Sequence, residues 1–286
     1  MSSTRHYTLT LSCPDRVGVV AAVSSFIASH NGWITEAQHH ADWEQKRFFM
    51  RQEVLAESLP FETGEFCQRF QAIAEPFQMD WRLTDSAQKK RVVILVSKFG
   101  HCLYELLASW QSGDLEVEIA GVISNHEVFQ KFVEWHEIPF YYVPVTLETK
   151  SAAYEKVMYL YEALKGDVMV LARYMQVLSA QICDRYPGQI INIHHSFLPS
   201  FVGAKPYHQA YARGVKLIGA TCHYVTSELD AGPIIDQDVI RIDHTDAVDD
   251  LIRYGKDIEK TVLTRGLRYH IQDRVLLHGN KTVVFK

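Results

Sequence analysis

From Arg91 onward, short and largely apolar runs alternate with segments of helical periodicity: Val92 to Val96, Val117 to Ile123, Phe140 to Val145, Val168 to Leu171 and Ile190 to Ile193. Strands without a polar face must be covered on both sides, and the arrangement that does this is a parallel sheet with helices above and below. Leu103, Leu106, Leu107 and Trp110 mark the apolar face of one helix, and Tyr154, Val157, Met158 and Tyr161 that of another. Further helices are predicted at about 127–137 and near 176–186, and again after Thr245. Two later strands, Gly219 to Val225 and Pro233 to Ile242, flank a turn at Leu229-Asp-Ala-Gly232, and a hairpin around Gly279-Asn280 ends the chain. Residues 91–286 therefore read as a doubly wound, mostly parallel, Rossmann-like α/β domain.

Residues 1–85 carry a different pattern. Tyr7, Leu9 and Leu11 alternate with polar residues as in a half-buried strand, and Val20, Val23 and Ile27 then share a helical face before His30-Asn-Gly32 stops the helix. Strand-like segments at 33–40 and 48–55, a helix over 61–77 and a strand near 79–83 complete a β-α-β-β-α-β order, the ferredoxin-like α+β unit. Residues 86–90 are polar, aperiodic and short, and read as the linker.

With 286 residues, 47% hydrophobic and 22% charged, the chain can build two globular domains. A net charge of -5 with dispersed Lys and Arg argues against a nucleic-acid partner. Five scattered cysteines without a C-x-x-C pair, an N-terminus lacking an apolar signal core and no long apolar run point to a cytoplasmic chain without membrane partners. The histidine pairs at 39–40 and 194–195 lack metal-ligand spacing, so no metal is expected. Ser196 is outside any G-x-S-x-G elbow, and Cys222 reads as core.

Chemistry concentrates at the carboxyl end of the 190–193 run, where open α/β sheets place their sites. Asn192 offers an amide donor for an oxyanion, His194 a group that moves protons near neutral pH, and Asp230 a carboxylate to orient that imidazole or activate water. Together these suit attack on a carbonyl. Asn192 and His194 are two residues apart and face the same side of an extended strand, so His195 should face the other. Spacing alone leaves open a structural histidine and an Asp230 that merely forms a turn.

Asn192-Ile-His194 followed by Ser196-Phe-Leu-Pro199, then Gly219-x-Thr-x-His-x-Val225 and Asp230-x-Gly-x-Ile234, resembles the signature of the folate-dependent formyltransferase family, whose members use 10-formyltetrahydrofolate. The resemblance implies catalytic roles for Asn192, His194 and Asp230, with His223 near the site; apart from the resemblance, His195 is a secondary near-site residue, and Gly203-Ala-Lys-Pro206 reads as a turn that sets Lys205 beside the formyl group. It also implies a folate pocket walled by Met175, Gln176, Val177, Leu178, Val225, Thr226 and Leu229, with no cofactor beyond the folate substrate. The first segment resembles an ACT domain through Pro14-Asp-Arg-Val-Gly-Val-Val20 and Asn31-Gly-Trp-Ile34. That likeness implies an amino-acid effector near Asp15, Arg16, Gly18, Asn31 and Gly32, glycine and methionine being the expected effectors, and a homo-oligomer. The alternative is that Gly18 only lets the turn close and the module only makes oligomer contacts.

Two departures narrow the family. After the first strand, where purine-pathway transferases carry a glycine-rich phosphate cradle, this chain has Ser97-Lys-Phe-Gly-His-Cys102, which offers fewer free amides to a phosphorylated acceptor. His195 also stands where transferases usually have proline. With the ACT-like segment in front, the chain is similar to the deformylase branch, in which water replaces the amine and formate is released. Formyl transfer to an amine acceptor, and a non-catalytic amino-acid or folate sensor, are the competing readings.

Overall fold

The computed structural model describes residues 4–200 and 206–286. They form two compact units, one of Met1–Lys89 with Gln272–His278 and Thr282–Lys286, the other of Lys90–Ile271 with Gly279–Lys281.

In the N-terminal unit, β1 (His6–Pro14), α1 (Val19–Ser29), β2 (Ile34–Asp42), β3 (Arg47–Leu55), α2 (Thr63–Phe77) and β4 (Asp80–Asp85) follow the order read from the sequence. The four strands pair antiparallel in the order β2-β3-β1-β4. Helix α1 buries Val19, Val23, Phe26 and Ile27, and α2 buries Phe66, Phe70 and Ala74. Phe26 meets Phe66 and Phe70 edge-on, with ring centroids 5.2 and 5.3 Å apart. Val20, expected on the buried face of α1, is 39% exposed, because the stripe runs through positions 19, 23, 26 and 27.

The α/β unit contains β5 (Arg91–Val96), α3 (His101–Ser112), β6 (Glu118–Ser124), α4 (Gln130–Trp135), β7 (Phe140–Tyr142), α5 (Lys150–Ala163), β8 (Val168–Leu171), α6 (Ala180–Arg185) and β9 (Ile190–His194). After these come α7 (Pro206–Arg213), β10 (Leu217–Tyr224), β11 (Ile234–Arg241) and α8 (Val248–Ile271). The seven-stranded sheet has the order β11-β10-β9-β8-β5-β6-β7. Strands β5 to β9 run parallel, and β10 and β11 are antiparallel additions at one edge. The order reverses at β5, from which β6 and β7 lie to one side and β8 and β9 to the other. Ligand crevices form at such a reversal, outside the carboxyl ends of the strands. Strands β5 and β8 are buried almost throughout, as strands covered on both faces must be. Gly266 of α8 allows the approach of β10, since a Cβ there would sit 2.5 Å from the buried sulfur of Cys222.

Several boundaries differ from those read in the sequence. Helix α4 is shorter than 127–137, α6 begins only at Ala180, and β7 ends at Tyr142. Helix α7 is not announced by apolar periodicity; Pro206 occupies its first position, where a missing N–H costs nothing.

The terminal hairpin, β12 (Val275–His278) and β13 (Lys281–Val284), belongs largely to the N-terminal unit, whereas the sequence reading placed all of 91–286 in the second domain. A buried cation explains the return. Arg51 of β3 is 1% exposed, and an unpaired guanidinium in that position would be costly. It is served by Glu36 at 2.8 Å, by Glu53 and by the Gln272 carbonyl at 3.0 Å. Arg274 pairs with Glu36 at 3.3 Å and His278 with Asp42 at 2.9 Å. Hairpin periodicity does not encode which unit it will join.

Candidate active site

Antiparallel pairing of β9 and β10 sets Asn192 opposite His223 and His194 opposite Thr221. Beside this pair, β10 shifts register against β11 between Cys222 and His223, a bulge of the kind that re-aims side chains near sites. His223 Nδ1 lies 2.9 Å from the Tyr224 carbonyl, which can only accept, so Nδ1 carries the proton. Its Nε2 is then a lone pair, and it accepts from the Asn192 amide nitrogen at 3.1 Å. Burial pushes His223 below the ordinary histidine value despite the opposing Tyr224 carbonyl, so the ring is neutral at pH 7. One amide hydrogen of Asn192 is thereby engaged, and its second remains for the cavity that Asn192 lines.

Asp230 arrives from the loop after β10 in a left-handed backbone conformation, φ 54°. A non-glycine residue held there is a small store of strain of the kind found at functional positions. Two residues on, a Cβ at Gly232 would meet the Tyr224 carbonyl oxygen at 1.9 Å, so only glycine lets the loop fold back this tightly. The carboxylate then lies 3.2 Å from His194 Nδ1 and 3.8 Å from His223 Nε2. Burial by itself would raise the Asp230 carboxyl, but the hydrogen bond and charge of His194, with smaller contributions from His223 and His195, hold it below the usual range. It is an ionised acceptor that orients the imidazole. The other nitrogen, His194 Nε2, is buried without a protein partner.

All these groups line one cavity of about 600 Å³ within the α/β unit. Met175, Gln176, Val177, Leu178, Val225, Thr226 and Leu229 line it too. Met175, Val177 and Leu229 are 51, 56 and 57% exposed, an apolar mouth of the sort that receives a flat organic ligand. The Met175 segment is tied to the strand ends, since Ser97 Oγ accepts from the Met175 amide at 3.0 Å and donates to Asn125 Oδ1 at 2.7 Å. His195 also lines the cavity, contrary to the expectation that it would face away. Strand β9 ends at His194, so strict alternation no longer governs the next residue. Burial, and then the charge of Arg173, lower His195 to about 4. Lys205 lies outside the described residues.

The same cavity is also lined by a buried polar cluster that the sequence reading did not assemble. Glu259 is 1% exposed; it accepts from Tyr207 Oη at 2.6 Å and pairs with His101 Nε2 at 2.8 Å and Arg173 Nε at 3.3 Å. Its signal was legible in α8, where an acid interrupts the apolar stripe of Leu251, Gly255, Ile258 and Val262. Gly255 admits the Tyr207 ring, whose atoms would lie 2.1 Å from a Cβ. His101, Cys102 and Glu259 bring their ligand-type atoms within 4.8 Å of one another. Both Glu259 oxygens are engaged by protein donors, and burial raises the Cys102 thiol well above its ordinary value, so the group reads as a hydrogen-bonded cluster.

In the N-terminal unit, Gly18 caps α1 with φ 96° and without a side-chain acceptor for the first amides. Asn31 has φ 60°, and a Cβ at Gly32 would come 2.5 Å from Ile27 Cγ2. Asp15 donates its backbone amide to the Lys46 carbonyl, and Arg16 reaches the Pro76 carbonyl and Gln78 at 3.3 Å.

An amide donor, a histidine and a depressed carboxylate meet at the carboxyl edge of this sheet, and residues 90–267 match the family described as formyl transferase, which sets the class of the protein. The chain belongs to the formyltetrahydrofolate deformylase family within that class. It is 46% identical to the formyltetrahydrofolate deformylase of Corynebacterium sp. (strain P-1), with all of both chains covered. A crystal structure of a formyltetrahydrofolate deformylase from Pseudomonas syringae pv. tomato matches with a TM-score of 0.98 and 59% identity, over 100% of this chain and 96% of that one. Glycinamide ribonucleotide transformylase 1 from Symbiobacterium toebii matches at 26% identity and a TM-score of 0.66, over 95% of its own length but 69% of this chain.

The buried titratable groups set a pH dependence. His195 and His223 are depressed, so the folded state favours their neutral forms; the stability they contribute is full above pH 6.5 and is lost as pH falls through their folded values. A shift of His195 from 6.5 to about 4 corresponds to about 3 kcal/mol lost by pH 4. Melting temperature should therefore fall from pH 7 to pH 4, and less steeply in His195→Gln. Equal slopes for the two proteins by calorimetry would contradict the assignment.

Proposed function

We propose that the chain hydrolyses 10-formyltetrahydrofolate to formate and tetrahydrofolate, with Asn192, His194 and Asp230 as its catalytic residues. The observation that carries the residue assignment is the meeting of these three side chains on one cavity, with Asp230 ionised against His194. Asp230, through His194, positions a water and takes its proton as the oxygen attacks the formyl carbon. The free N–H of Asn192 and the protonated His194 hold the oxyanion of the tetrahedral adduct. The C–N10 bond then breaks, the proton passes to N10, and formate and tetrahydrofolate result. The apolar mouth formed by Met175, Val177 and Leu229 suits the folate ring, with Gln176, Leu178, Val225 and Thr226 completing its pocket.

Water as acceptor is supported by what occupies the far side of the cavity. The loop after β5 carries the bulky Phe99 and His101 beside a single glycine, so it offers few free backbone amides to a phosphorylated amine. Transfer to an amine and a non-catalytic sensor are the readings that this proposal displaces. No described helix is long and apolar enough to cross a membrane; a cytoplasmic location fits the five free cysteines.

The N-terminal unit is proposed as an ACT-type regulatory module that also supports a homo-oligomer. The uncapped first turn of α1 beside Asp15, Arg16, Gly18, Asn31 and Gly32 suits an amino-acid carboxylate. Glycine or methionine should bind and change the rate of formate release. If neither binds nor alters turnover, the unit serves assembly alone.

Asp230→Asn should lower formate release without added amine by roughly a thousandfold while tetrahydrofolate binding persists. Near-normal release by that variant would remove Asp230 from the mechanism, and turnover that required an amine would overturn hydrolysis.

A further inference from the structure

The cavity holds a cation that its neighbours do not satisfy. Arg173 follows β8 with φ 63°, and its side chain is 10% exposed. A guanidinium presents five N–H donors in a fixed fork. Its ion-pair partner, Glu259 Oε2, lies 3.3 Å from Nε, close enough for charge pairing, yet Nε is buried without a hydrogen bond. Both Glu259 oxygens are already in use, Oε2 by His101 and Oε1 by Tyr207. The guanidinium also lies 5.5 Å from the centre of the Phe99 ring, which contributes no hydrogen-bond acceptor. A nine-tenths-buried cation on a cavity wall, in electrostatic contact with an acid that is otherwise saturated, has the character of an anion site awaiting a small planar acceptor.

The reaction supplies one. Hydrolysis converts a neutral formyl amide into a carboxylate, which forms next to the ionised Asp230 and is repelled by it. Resting on the hydrolytic reading above, we propose that Arg173 is the binding residue for the product formate, drawing it away from Asp230 toward the far side of the cavity. The geometry suits a carboxylate, which accepts two parallel N–H donors from a guanidinium. His195, also on the cavity wall, is the neighbour through which the two ends of the site meet, its ring 5.2 Å from His194 and 6.2 Å from Tyr207. In this arrangement the apolar mouth retains the folate while the small anion leaves its point of formation.

The test is a titration of the full chain with carbon-13 formate, read by NMR line broadening, for the wild type, Arg173→Lys and Arg173→Gln. Hydrolysis is measured separately on the wild type, so that failure of the reaction is distinguished from failure of the site. The wild type should bind formate saturably, Arg173→Lys more weakly, and Arg173→Gln at least about tenfold more weakly. Tetrahydrofolate binding on the same samples reports a folded cavity; if Arg173→Gln does not fold, Arg173→Lys decides by weaker binding or wild-type binding. A wild type that hydrolyses substrate but does not bind formate, or a folded variant that binds it as the wild type does, would overturn the proposal.

Discussion

The contact on which the site depends is the pairing of β9 with β10. It places Asn192 across from His223, and the carbonyl of Tyr224 then fixes the proton on His223 Nδ1. From that one proton the rest follows: a lone pair at Nε2, an Asn192 amide turned to meet it, and one amide hydrogen left for the cavity. The same strand end carries His194 to Asp230, which the tight return at Gly232 delivers. The site thus stands on a backbone ladder and one glycine, elements with little freedom to drift, as a constellation needing sub-ångström placement requires.

The cavity is electrically divided. One side carries an ionised carboxylate among imidazoles, the other a saturated acid with an under-served guanidinium, and an apolar mouth opens beside both. Such a division suits a reaction that begins with a neutral amide and ends with an anion, because the charge appears on one side and is attracted to the other. The small transformylases share the fold of the α/β unit but match a smaller share of this chain, so the difference in acceptor is to be sought in side chains such as Phe99, His101 and Glu259.

Much of this was legible in the sequence for identifiable reasons. The apolar runs at 92–96, 168–171 and 190–193 announced buried parallel strands because both faces are covered. The two-residue spacing of Asn192 and His194 set them on one cavity because they share a strand, and it failed for His195 because the strand stops before it. The Glu259 cluster stayed hidden: its members come from α3, α7, α8 and the loop after β8, and no local spacing links them. The terminal hairpin was recognised as a hairpin, but its home in the N-terminal unit depends on the buried charge of Arg51, which is apparent only once β3 is folded.

The central claim is that the strand-end constellation directs water at a formyl carbon. Turnover of 10-formyltetrahydrofolate in water enriched in oxygen-18, without any amine, tests it most directly by mass spectrometry of the released formate. Attack by water predicts formate carrying one heavy oxygen per turnover, and loss of that product in Asp230→Asn. Formate without heavy oxygen, or release only when an amine is present, would contradict the account.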